Sequence, residues 1–280
     1  MKSKKNDVKI DWGLKFYLDV LKLDALHFGL WKKEPLTVEG ARQAQKNYTG
    51  RLLSKIPSGG KQVLDAGCGI GRTALKLKEK GFEVDCVNPD SYQEKIFKKN
   101  AGDDIPFYRT IFEKFEPPQN KKYDIILMSE SSQYMDTEKM TEKAAKILKP
   151  KGYLLIADYF RKKDTEFYKT CRIKNKFINI VEKKFSVTNI EDITEQAVPT
   201  LEAGKIIYEE YGLPVLHIIT GYLSQEAPRI SKITKFIFSK KIKKVQKYLY
   251  RHTPQKLDAK KFKKELEYLF LLYRLKEEAK

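Results

Sequence analysis

The residues best placed to do chemistry begin at Asp65, which follows the apolar pair Val63-Leu64 and precedes Ala66-Gly67-Cys68-Gly69-Ile70-Gly71. Alternating glycines let a backbone turn sharply and approach a ligand closely. Residues 73–80 read as a helix, so the loop lies at a helix N-terminus, where free N–H groups and partial positive charge receive polar ligands. Together these features describe a pocket for a nucleotide-type molecule. A G-x-G-x-x-G dinucleotide loop is excluded, because counting from Gly67 the third glycine position holds Arg72. Asp65 itself has two readings, ligand contact and helix capping. A second group, Ser129-Glu130-Ser131-Ser132-Gln133-Tyr134, follows the apolar run 123–129. That is the carboxyl end of a central strand, where open α/β sheets bind ligands. Glu130 there can steady a cation, take a proton or orient a hydroxyl; a hydrogen-bonded structural carboxylate is the alternative.

Positioning these residues requires strands alternating with helices. Strands are expected at 83–88, 106–110, 123–129, 153–158, 185–193 and 268–275, after a first strand ending at Asp65. Helices are expected at 73–80, at 90–100 and after Asp136 or Thr137, the last with Met140, Ala144, Ile147 and Leu148 on its inner face and Pro150 and Gly152 as its stop. This is the pattern of an α/β, doubly wound sheet. Residues 195–265 break the alternation with a long, mostly helical stretch, far longer than a hairpin needs and therefore read as a functional lid. Near the N-terminus Trp12, Phe16, Val20 and Leu23 share one helical stripe, which reads as packing.

Composition bounds the rest. The 280 residues are 41% hydrophobic, enough for a buried core, and carry a net charge of +19. Residues 229–264 hold fourteen Lys or Arg against the single acid Asp258. There Phe236, Ile237, Phe238 and Ile242 interleave with Lys235, Lys240, Lys241, Lys243, Lys244 and Lys247, the composition of an interfacial amphipathic helix around 232–250. Anionic lipid, nucleic acid and a merely solvated face are all compatible with it. Three cysteines, an odd number, and no Cys/His cluster imply a reducing compartment and no metal site. No apolar run approaches the ~20 residues of a membrane span, and no signal-like apolar stretch follows the basic start. A cytoplasmic protein, peripheral at the inner face of a membrane, is expected.

The loop D-x-G-x-G-x-G at 65–71 resembles motif I of the class I S-adenosylmethionine (SAM)-dependent methyltransferases. The resemblance implies a Rossmann-like seven-stranded sheet with strand seven antiparallel. It also implies an N-terminal helical cap (1–60), a cofactor core (61–194), a helical basic lid (195–265) between strands six and seven, and a last strand (266–280). SAM would be the cofactor and S-adenosylhomocysteine the product. Asp65 would meet the methionine ammonium, with Gly67, Cys68, Gly69 and Gly71 around it and Ser129 across the sheet. Val87-Asn88-Pro89-Asp90-Ser91-Tyr92-Gln93 is similar to the V-T-(I/L)-S-x-x-Q segment of cyclopropane fatty acid synthases and tocopherol methyltransferases, which implies ribose contacts for Asn88 and Gln93. Asp90 and Gln93 also form a capping-box pattern. Phe112 is implied beside the adenine. Leu26-His27-Phe28-Gly29-Leu30-Trp31 resembles the segment that closes over the sulfonium in the same families, bringing His27 and Trp31 to the site, although a lone histidine is more often structural. Ser129 to Asp136 resembles the M-E-S-G-E-H-M-P segment of tocopherol-type enzymes and the matching segment of sterol methyltransferases, with Tyr134 in place of histidine. The implied function is methyl transfer to a lipid or other hydrophobic small molecule at a membrane surface. An RNA methyltransferase and a non-catalytic SAM-binding protein are the alternatives.

Overall fold

The computed structural model describes residues 9–165, 168–226 and 253–277. Two helices, α1 (Trp12–Asp19) and α2 (Val38–Leu53), precede the core. Strand β1 (Gln62–Ala66), α3 (Arg72–Glu79), β2 (Glu83–Val87), α4 (Ser91–Ala101), β3 (Phe107–Tyr108), β4 (Tyr123–Ser129), α5 (Thr137–Ile147), β5 (Leu148–Arg161), α6 (Lys174–Val181) and β6 (Phe185–Asp192) then alternate. The long connection holds α7 (Thr194–Ala197), α8 (Pro199–Ile207), a π-turn (Tyr208–Gly212), α9 (Leu213–Glu226), α10 (Thr253–Lys256) and α11 (Ala259–Glu265), and β7 (Leu266–Leu275) closes the sheet. The expected basic helix around 232–250, with Lys240, Lys241, Lys243 and Lys244, lies outside the described residues.

The seven strands run in the order β3-β2-β1-β4-β5-β7-β6, and β7 is antiparallel to both of its neighbours. The fold is therefore the seven-stranded, Rossmann-like sheet that the motifs implied. Chain order reverses between β1 and β4, and a sheet of this kind opens a crevice at the carboxyl ends of such strands. Ile125, Ile126, Leu127 and Met128 are all buried, as a central parallel strand covered on both faces requires. Asp136 caps α5 by accepting from the Lys139 N–H, and Met140, Ala144, Ile147 and Leu148 join the core beneath it.

Three details differ from expectation. Strand β5 starts at Leu148 and not Tyr153, because Leu148 pairs with Tyr123 before a register shift restores the ladder at Ile125 and Tyr153. Pro150 and Gly152 thus sit in an irregular strand entrance, with Lys151 at φ 63°. Strand β3 keeps only two residues. On α1 the apolar stripe faces outward: Trp12 is 69%, Phe16 48% and Val20 61% exposed, while Leu23 alone is buried. Leu14 occupies the inner face of that helix instead, with Tyr17 packed against the small cluster of Leu23, Trp31, Ala41, Ala44 and Ala203.

Candidate active site

A cavity of about 410 Å³ opens where β1, β2 and β4 end. Gly67 and Gly69 form its floor, both in the left-handed region at φ 86° and 56°. A Cβ on Gly67 would stand 2.3 Å from the Ser131 Cβ, so no other residue fits there. Ser131 in turn donates to the Ala66 carbonyl at 2.6 Å, tying the loops after β1 and β4 together. Gly71 departs from the expectation. It is absent from the lining, and its missing Cβ makes room for the Phe97 ring of α4, 2.6 Å away, so it serves helix packing.

Asp65 lines this cavity and is only 2% exposed. Its Oδ2 has no hydrogen-bond partner among the described residues, and burial pushes the carboxyl up to about 7. Capping is ruled out, since α3 begins at Gly71 without a side-chain cap. Asn88 Nδ2 donates to Gln93 Oε1 at 2.7 Å and to the Gly69 carbonyl at 3.3 Å. The α4 cap is made by Asp90 alone, which accepts from the Tyr92 and Gln93 N–H groups. The Gln93 side chain is therefore free of capping duty and faces Asn88. Cys68, Phe112 and Ser129 complete this end of the lining.

At the other end stands Glu130, in the left-handed region at φ 51° and held there by its own N–H donating to the Ala157 carbonyl at 2.7 Å. Its Oε1 accepts from the Phe28 N–H at 2.6 Å and from the Tyr268 hydroxyl at 2.7 Å. The chain of bonds continues from Tyr268 to Tyr48 at 2.8 Å and from Tyr48 to Ser129 Oγ at 3.0 Å. Burial raises the Glu130 carboxyl to about 8, against the pull of these bonds. Tyr134 stands at the cavity mouth, 78% exposed.

Two further candidates come from the segment Leu26–Trp31. His27 reaches the cavity wall, yet its Nδ1 donates to the Phe28 carbonyl at 2.7 Å and its Nε2 accepts from Thr49 Oγ1 at 3.0 Å. Stacked on Tyr48 and pushed down to about 4 by burial, it is neutral with both nitrogens engaged, which fits a structural ring and not a base. Trp31 does not reach this cavity. Its Nε1 donates to Thr200 Oγ1 at 2.8 Å and its ring lines a second cavity. Tyr17, expected from the sequence to help Glu130 and Tyr134 stabilise positive charge on the acceptor, lines that second cavity and not the first. Sequence reasoning missed Asp158, which is 1% exposed and accepts from Ser132 Oγ and the Gln133 N–H. An acid closing the apolar run 154–157, as Asp65 closes its own, was a usable signal. Tyr48 and Tyr268 gave none, being two tyrosines in amphipathic elements far apart in sequence.

A seven-stranded sheet with this strand order, a glycine cradle after β1 and an unpartnered acid at its end defines the class I SAM-dependent methyltransferases. The methyltransferase domain family matches residues 40–197, more than half of the chain, and the chain belongs to that family. Methyltransferase GfsG of Streptomyces halstedii is 29% identical over 142 residues, 48% of this chain and 51% of that protein. The chain spans about half the length of the curated relatives it matches. Among solved structures, geranyl diphosphate C-methyltransferase from Streptomyces coelicolor superposes with a TM-score of 0.68 at 12% identity, covering 94% of this chain and 92% of that one. The (4+2)-cyclase SpnF gives 0.65 at 16% identity, with 94% of each chain covered. At such identities the likeness is one of fold.

Proposed function

We propose that the chain transfers a methyl group from SAM to a hydrophobic small molecule. Asp65, Gly67, Gly69, Asn88, Gln93 and Phe112 would hold the cofactor, and Glu130 and Tyr134 would face the acceptor. The observation that carries this reading is the buried, unpartnered Oδ2 of Asp65, which lacks both a donor and a positive charge that a cofactor ammonium has. When bound, SAM supplies an electrophilic methyl on a sulfonium. The chain's own residues then have three tasks. Gly67 and Gly69 allow close approach, the Asn88–Gln93 amide pair offers donors and acceptors to hydroxyls, and the wall around Glu130 excludes water. Glu130 Oε2 has no hydrogen bond to protein among the described residues, and a carboxyl near 8 exchanges protons close to neutrality. A terpenoid methyltransferase among the structural neighbours supports a hydrophobic acceptor.

Peripheral contact with an anionic membrane is supported by the net charge of +19 and by the outward-facing Trp12, Phe16 and Val20, with Val215, Ile218, Ile219 and Tyr222 of α9 also exposed. Among the described residues, no helix is long and apolar enough to cross a membrane. A second reading, SAM binding without methyl transfer, is favoured by one observation: both His27 nitrogens and Glu130 Oε1 are already engaged. The deciding experiment incubates the full chain with SAM labelled in the methyl group and separate lipid, RNA and polar-metabolite fractions. Label in the lipid fraction is the expected result. Label in RNA replaces the proposal with an RNA methyltransferase, and cofactor affinity without label anywhere replaces it with the second reading.

A further inference from the structure

The second cavity, about 310 Å³, lies on the far side of the segment 23–29. Ala25, Leu26 and His27 of that segment line the cofactor cavity, whereas Leu23 and Gly29 line the second one. The remaining wall comes from α1, α2, α8, the π-turn and α10, with Phe16, Tyr17, Trp31 and Leu257 among its apolar residues. Room is left by small residues: Gly29, Ala41, Ala203 and Gly204. No acid, lysine or arginine lines it among the described residues, although 33% of the chain is charged.

One polar atom of a lining side chain is unsatisfied. Gln45 is 5% exposed, and its Nε2 donates to the Ala25 carbonyl at 2.8 Å and the His27 carbonyl at 3.0 Å. Two carbonyls can face only the nitrogen, so the amide orientation is fixed, and Oε1 is left buried without a donor. A buried acceptor in that state keeps the cost of its lost water, which a ligand O–H or N–H relieves. Thr200 Oγ1, also on the wall, is already occupied as an acceptor by the Gly29 N–H and Trp31 Nε1. A carboxylate or diphosphate here would be desolvated with no counter-charge.

We propose that this cavity binds an uncharged, mostly hydrocarbon molecule whose hydroxyl or N–H group donates to Gln45 Oε1. The occupant is a neutral alcohol or phenol and not a diphosphate or a nucleic acid, because no described lining residue carries a counter-charge. Gln45 also pins the carbonyls of the dividing segment, so the ligand touches the residue that holds the wall of the cofactor cavity.

The test uses 4-hexylphenol as the probe, with hexylbenzene and 4-hexylbenzoate as its uncharged and anionic controls. Trp31 lines the cavity, and in a Trp12→Phe background its emission reports occupancy alone. Saturable one-to-one binding of 4-hexylphenol is expected, with 4-hexylbenzoate at least about tenfold weaker because it would bury an unpaired charge. Gln45→Met should cost 4-hexylphenol about tenfold and leave hexylbenzene nearly unchanged. Phe16→Glu, at the half-exposed rim, should weaken both apolar probes, and it serves as the test where Gln45→Met does not fold. Equal binding of the benzoate, indifference to both substitutions, or no saturable binding overturns the proposal. Calorimetry of S-adenosylhomocysteine in the same samples separates the two readings: probe binding without cofactor binding keeps the cavity and defeats the methyltransferase assignment.

Discussion

The two cavities flank one short segment and are built on opposite principles. The cofactor cavity is made by loops at strand ends, carries an acid that lacks a partner, and depends on two glycines in the left-handed region. The second is made by helix faces, carries no charge among its described lining residues, and depends on small side chains to leave room. Backbone geometry fixes the first, and side-chain packing fixes the second. A single substitution in a loop should therefore destroy cofactor binding outright, whereas the apolar cavity should respond by degrees. The described part of the connection 195–265 also sorts with the second cavity. None of its residues lines the first, while Thr200, Ala203, Gly204, Ile207 and Tyr208 line the second.

The largest effect expected is that of Gly69→Val. A branched side chain at φ 56° strains the loop and fills the cavity floor, so S-adenosylhomocysteine binding should vanish in calorimetry while 4-hexylphenol binding persists. Loss of both would show that the cavities are not independent. Next comes Trp31→Ala, which empties a buried aromatic site and should cost about 3–5 kcal/mol of stability in denaturant unfolding, against under about 0.5 kcal/mol for the exposed Trp12→Ser. Glu130→Gln should lower turnover by about 100-fold, within the range of acid–base groups, with cofactor affinity nearly unchanged. Equal loss of both would make Glu130 a support for Phe28 and Tyr268 alone.

The pH response is smaller and has a definite sign. Asp65 is raised from its ordinary value near 3.8 to about 7, so the folded, ligand-free chain binds more protons than the unfolded chain between those values. Its contribution to stability is full below about 4 and is lost as pH rises through about 7. The ligand-free Tm should carry a downward slope across that window, and Asp65→Asn should make it shallower, leaving the parts that Glu130 and Asp158, raised to about 8 and about 6, contribute. The Tm gain from S-adenosylhomocysteine should grow over the same range, because an ammonium favours the charged acid. A ligand gain independent of pH would remove Asp65 from the cofactor contact.

Much of the first cavity was legible. The D-x-G-x-G-x-G spacing placed Asp65, Gly67 and Gly69, and the buried run at β4 placed Glu130, because strand ends and positive-φ glycines are short-range features. The same reasoning failed at Gly71, whose neighbour Phe97 lies on another helix. It failed again at Trp31, which lies on the second cavity and whose partner Thr200 is distant in the chain. The stripe on α1 shows the same weakness: periodicity showed that Trp12, Phe16 and Val20 share a face, and nothing local said which way the face would turn.

By itself the sequence determined the alternation of strands and helices, the cofactor loop and the acids that end their strands, since each follows from hydrophobic period or backbone sterics within a few residues. Only the tertiary structure decided that Glu130 is clasped by Phe28 and Tyr268, that His27 is a neutral ring with both nitrogens spent, and that Gln45 keeps an unsatisfied oxygen in a charge-free cavity. Those properties depend on which side chains meet across the fold and on how little water remains between them.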